Sequence, residues 1–110
     1  MDERARRIGA NEAMFREVNE RIESLAETFG LRGHALDLIC ECADVSCTEQ
    51  IRMTSRDYEA LRKEATLFAV YPGHEIPDFE EIVDRRDGYD VMRKREGEPA
   101  QVARETHTRR

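Results

Sequence analysis

Residues 40–47 read Cys-Glu-Cys-Ala-Asp-Val-Ser-Cys, so all three cysteines of this 110-residue chain fall within one short stretch. An odd number of thiols crowded into one segment makes a poor disulfide framework. In a reducing compartment such thiols stay free. The pattern suits a soft metal instead. A structural zinc site takes four thiolate or imidazole ligands in a tetrahedron, and thiolates select softer metals over hard cations. If a strand runs into residue 40, Cys40 and Cys42 share one face by the period of two, and the following loop can return Cys47 to them. The fourth ligand must come from elsewhere. His74 follows Pro72-Gly73, a sharp turn that would fix its direction. His34, six positions before Cys40, is the alternative, and His107 is a remote third. The C-x-C spacing is tighter than the usual C-x2-C of zinc ribbons. Two other readings stay open: Cys40 as a buried strand residue, and the cluster as a thiol redox site.

Around this segment the chain divides into recognisable elements. Ile8, Asn11, Phe15, Val18, Ile22, Leu25 and Phe29 recur at alternating spacings of three and four, which predicts a helix over residues 1–29. Gly30 stands where a left-handed cap would end it. The stripe reads either as a coiled-coil seam with Asn11 as a polar specifier, or as the face of a helix lying on its own domain. The flanking heptad positions are Glu12, Asn19, Ala26, Met14, Arg21 and Thr28; only Glu12 and Arg21 are charged, so interchain ion pairs have little to work with.

Residues 35–40 and 50–53 read as short strands separated by a polar loop. Thr54 and Asp57 form a capping-box arrangement, with Met53 and Tyr58 at the staple positions, which predicts a helix over 55–65. Residues 67–71 form an apolar strand. Asp87-Gly88 between two alternating runs predicts a hairpin of 79–86 with 89–95. The last stretch, 96–110, is polar and unpatterned, and is expected to be a disordered tail. The fold expected is therefore α+β and metal-stapled. A long N-terminal helix (1–30) precedes a Cys/His metal-binding domain (31–95) with a small, mostly antiparallel sheet and one inserted short helix.

Charge excludes some functions. The net charge is −6, with 38% charged and 6% aromatic residues. An acidic chain is a poor generic ligand for phosphate backbones. Arg85, Arg86, Arg93, Lys94 and Arg95 make one local basic run and Arg4, Arg6 and Arg7 a smaller one, but Tyr89 alone supplies a nearby stacking ring. No apolar run approaches the roughly 20 residues that span a bilayer. The N-terminus has no apolar signal core, so a cytoplasmic location is expected. No glycine-rich phosphate loop, H-E-x-x-H or G-x-S-x-G pattern occurs.

The segments RRIGANEAMFREVNERI, LICECADVSC, IRMTSRDYEALR and VYPGHEI together resemble a family of small uncharacterised bacterial proteins. The resemblance spans residues 4–95, with C-x-C-x4-C and Pro-Gly-His as its most specific parts. It implies a bacterial cytoplasmic protein and carries no activity with it. The function expected is a non-enzymatic zinc-stapled module that binds a protein partner or a second copy through Phe15, Val18, Ile22 and Leu25. A zinc-based redox switch is the alternative and a nucleic-acid module a third. An enzyme ranks last, since four protein ligands would leave the metal no open position.

Overall fold

A computed structural model describes residues 3–107. The element order is α1 (Glu3–Thr28), β1 (Ala35–Ile39), β2 (Gln50–Thr54), α2 (Ser55–Leu61), β3 (Leu67–Val70), β4 (Glu80–Arg86), β5 (Tyr89–Lys94) and α3 (Glu98–Glu105). The fold is α+β, as expected. The strands form two antiparallel sheets rather than one: β1 with β2, and β3-β5-β4 with β5 in the middle.

Local chemistry explains most boundaries. Gly30 at φ 73° ends α1, and the Leu31 N–H returns to the Ala26 carbonyl at 2.8 Å, a glycine-dependent helix stop. The Thr54 hydroxyl accepts from the Asp57 N–H at 3.0 Å and starts α2. α2 ends at Leu61, four residues short of the predicted end. Asp87-Gly88 turns β4 into β5, with Gly88 at φ 88°.

In the β1–β2 pair, Leu36 faces Met53 and Leu38 faces Ile51. All four are buried, in one apolar cluster with Tyr58, Leu61, Leu67 and Val91. A second cluster gathers Phe68, Val70, Met92 and Ala103 around Cys40 and Cys42.

Two expectations need correction. The buried line of α1 runs through Ala5, Ile8, Gly9, Glu12, Arg16, Asn19, Glu23 and Ala26. It is rotated by roughly 100° about the axis from the apolar stripe. Ile8 alone of the stripe is buried; Val18, Leu25 and Phe29 are 40%, 60% and 72% exposed. The cause is hydrogen bonding. The helix covers loops and strand ends whose carbonyls need donors, and Asn11, Arg16 and Asn19 supply them.

The predicted disordered tail is the second. Residues 98–105 form α3, which buries Pro99, Ala100 and Ala103. It packs so closely on α1 that a Cβ at Gly9 would lie 3.0 Å from Val102 Cβ. Arg16 donates to the Ala103 carbonyl at 3.0 Å and the Thr106 hydroxyl at 2.9 Å, placing a cation at the C-terminal end of α3. Residues 108–110 of that tail, and 1–2 of the first helix, lie outside the described residues.

Candidate metal centre

Cys40 is the first residue beyond β1, and its N–H still donates to the Glu49 carbonyl at 3.2 Å. On the other side the Glu41 N–H donates to the Ala69 carbonyl of β3 at 2.9 Å. The chain is thus held between the two sheets, and its side chains alternate. Cys40 and Cys42 go to one side. Glu41 goes to the other, where it is fully buried.

Helix α1 fixes the main chain around these residues. The Asn19 amide donates to the Ile39 carbonyl at 2.8 Å and accepts from the Ile39 N–H at 2.9 Å, as a neighbouring strand would. Asn11 donates to the Ala43 carbonyl at 2.9 Å. The loop then turns back. Asp44 accepts from the Ser46 N–H and hydroxyl at 2.9 and 2.7 Å, and the Cys47 N–H donates to the Asp44 carbonyl at 3.0 Å.

His74 arrives from the far end of β3. Pro72 sets the turn, Gly73 takes φ 90°, and the His74 N–H donates to the Tyr71 carbonyl at 3.0 Å, the arrangement of a type II turn. The Tyr71 ring lies against the imidazole, with centroids 5.3 Å apart.

Cys40, Cys42, Cys47 and His74 thereby bring four ligand atoms within 4.8 Å of one another. His74 Nδ1 is 3.6 Å from both Cys40 Sγ and Cys47 Sγ. A tetrahedral ion with thiolates at about 2.3 Å and imidazole at about 2.0 Å has S···N edges of about 3.6 Å. The donor set and its dimensions therefore fit a metal ion. Cys40 and Cys42 are buried, while Cys47 and His74 are half-buried.

The electrostatics suit thiolate ligands. The Tyr71 N–H donates to Cys40 Sγ at 3.1 Å. In the metal-free cluster the Cys42 thiol is pushed down to about 5, chiefly because Cys40 donates to it. The same bond, with burial, pushes Cys40 up. Burial pushes Cys47 up. One thiolate thus forms readily, and binding an ion would displace the remaining protons.

His34 is exposed and lies outside the cluster, so of the two candidate fourth ligands the fold brings in His74. His107 lies near Arg62, with its Nδ1 3.3 Å from the guanidinium. Among the described residues the other group with ligand-like spacing is Glu23, Glu27 and Glu59. Arg32 already lies 3.5 and 3.0 Å from the last two of these carboxylates.

The basic run on the hairpin is neutralised within the fold. Lys94 is buried between Glu12 and Glu80. Arg85, Arg86 and Arg93 pair with Asp90, Asp84 and Glu64 at 3.2, 2.6 and 3.2 Å. Of the predicted partner-binding residues, Phe15 and Ile22 are half-buried and Val18 and Leu25 exposed.

Sequence reasoning missed the residues behind the ligands: Asn11, Asn19, Glu41 and Tyr58. The one available signal was alternation, since a residue between two same-face cysteines must face away from the metal. No helix among the described residues is long and apolar enough to cross a membrane. Compared with protein-family models, with curated proteins and with solved structures, the chain matches none.

Proposed function

We propose that the cluster holds one structural zinc ion and that the protein is a non-enzymatic, zinc-stapled interaction module. The observation that carries this reading is the convergence of three sulfurs and one imidazole nitrogen from two separate chain segments within 4.8 Å. Thiolates with imidazole favour zinc over hard cations. Four protein ligands complete a tetrahedron and leave no position for water or substrate, which supports a structural role. The ion would tie the end of β1, the loop at 42–47 and the turn after β3 into one unit. Its binding energy would then be folding energy.

The interaction part rests on α1. Its apolar residues Val18, Leu25 and Phe29 are left at the surface while Glu12, Arg16, Asn19 and Glu23 occupy the middle of its buried line. Such an apolar edge suits a protein partner or a second copy of the chain. Reduced thiolate ligands are in keeping with the cytoplasm of a bacterial cell.

Metal content tests the reading directly. Protein purified without chelator should carry one zinc per chain, and Cys42→Ser and His74→Ala should each lose it. A folded wild-type chain with no bound metal would refute the proposal.

A further inference from the structure

We propose that Cys47 and Cys42 form the oxidisable pair of this centre, so that peroxide closes a Cys42–Cys47 disulfide and expels the metal while Cys40 stays a thiol. The inference rests on the zinc reading above and adds a site of modification to it.

The three thiols are not equivalent. Cys40 is 2% exposed. Its N–H donates to the Glu49 carbonyl, the next residue's N–H donates to the Ala69 carbonyl of β3, and the Tyr71 N–H points at its sulfur. Cys42 is as deeply buried. Cys47 alone is half-buried, in a loop where Asp44, Val45 and Ser46 are exposed. An oxidant arriving from solvent therefore meets Cys47 first.

Geometry then selects the partner. Cys40 and Cys42 stand on the same side of the chain two positions apart. Extended backbone separates such Cβ atoms by roughly 6–7 Å, whereas a disulfide needs about 3.5–4.5 Å. Joining them would require the main chain between the two sheets to move, against the Glu41 anchorage. Cys47 is different. The turn from Asp44 returns it to the cluster, within 4.8 Å of both other sulfurs. Of these, Cys40 is held by the Tyr71 N–H and the Glu49 carbonyl, while Cys42 lies on the same loop as Cys47, which carries no strand ladder to break.

The chemistry balances with a hydroperoxide as the two-electron oxidant. Cys47, which zinc ligation would hold as a thiolate, attacks one peroxide oxygen, the O–O bond breaks, and Cys47 becomes a sulfenic acid as hydroxide leaves. The Cys42 thiolate attacks the Cys47 sulfur; the S–S bond forms, the S–O bond breaks, and a second hydroxide leaves. Two thiolates have lost one electron each. The ion keeps only Cys40 and His74 and dissociates. A dithiol reductant with added zinc reverses the sequence.

The test uses the full-length chain. Its zinc is assayed first, and hydrogen peroxide is then added stepwise while released zinc is followed with a chromogenic chelator. Free thiols are alkylated and the disulfide is mapped by mass spectrometry. Two thiols should disappear per zinc released, with one intrachain link between Cys42 and Cys47 and an alkylated Cys40. A zinc-loaded chain whose disulfide includes Cys40, or links two chains, or which keeps its metal under peroxide, overturns this inference alone. A folded chain without zinc at the outset overturns the zinc reading and this inference together. The map is read on wild-type protein, so it does not depend on whether Cys47→Ser retains metal.

Discussion

The Tyr58 hydroxyl donates a 2.6 Å hydrogen bond to the Glu41 carboxylate, and both side chains are completely buried. The Asn19 amide and the Ala69 N–H donate to the same carboxylate at 2.9 and 3.0 Å. Glu41 lies between two metal-ligand candidates in sequence and on the opposite side of the chain from both. Its position in the core therefore sets the direction of Cys40 and Cys42. Burial pushes the tyrosine's ionisation far up, so Tyr58 remains a donor at any ordinary pH.

Tyr58→Phe should consequently do more than remove one hydrogen bond. It leaves a buried carboxylate short of a donor, which costs about 1–3 kcal/mol. It also loosens the chain behind the ligands, where a support of this kind is worth about tenfold or more in metal affinity. Urea unfolding and competition against a zinc chelator measure the two effects. A variant as stable as wild type, with unchanged zinc affinity, would refute the positioning role of Glu41.

Gly9→Ala in α1 sets two magnitudes against each other. Inside a helix the change favours folding by about 1 kcal/mol. Here the new methyl would lie 3.0 Å from Val102 Cβ and 3.1 Å from Pro99 Cα. Separating α1 from α3 to make room costs about 1–3 kcal/mol. Thermal unfolding should therefore show a net loss, whereas a truly disordered tail would yield the net gain.

The elements legible in the sequence are those defined by neighbours in the chain. Thr54 with Asp57, Asp87-Gly88 and Gly30 each carry their own turn or cap chemistry, and each performs it. The Cys40, Cys42, Cys47 and His74 cluster was legible for a similar reason, since residue type and spacing limit what three close thiols can do. The orientation of α1 was not. An apolar stripe predicts the buried face only when the helix covers apolar surface. Here it covers main-chain carbonyls, and Asn11, Arg16 and Asn19 carry the contact by donating to them. Helix α3 escaped notice because it packs through Ala100 and Ala103, whose small side chains leave little hydrophobic signal. Gly97 and Pro99 at its start were the cue available.

The exposed apolar edge of α1 gives a third prediction. If it binds a second copy, Leu25→Glu with Phe29→Glu should halve the mass seen by light scattering. Stability of the fold should change little, within about 0.5 kcal/mol, as for other surface substitutions. A wild-type chain already monomeric at high concentration would leave a different protein as the occupant of this edge.

The buried triad of Glu12, Lys94 and Glu80 makes stability depend on pH. Lys94 Nζ contacts both carboxylates, and all three side chains are fully buried. One ammonium balances one carboxylate, so the second is buried without a cation of its own. Burial pushes Glu80 up to about 7 from its ordinary 4.5, against the Ile76 N–H that donates to it at 2.7 Å. Between those values Glu80 binds more protons in the folded chain than in the unfolded one, while Lys94, pushed down to about 7 by burial, works in the opposite sense and does so mainly from about pH 7 upward. The contribution of Glu80 is thus fully present below about pH 4.5 and lost as pH rises toward 7, by roughly 3 kcal/mol over the whole window. Zinc held by the cluster as proposed would act in the opposite sense, because thiolate–metal binding strengthens as pH rises. The two slopes separate in a comparison of wild type with Glu80→Gln, both in excess zinc, by urea unfolding between pH 5.5 and 7. Glutamine mimics the neutral acid, so the stability advantage of wild type should shrink steadily across the range. A constant difference would mean that Glu80 keeps its charge at every pH tested and that Lys94 holds both carboxylates as anions.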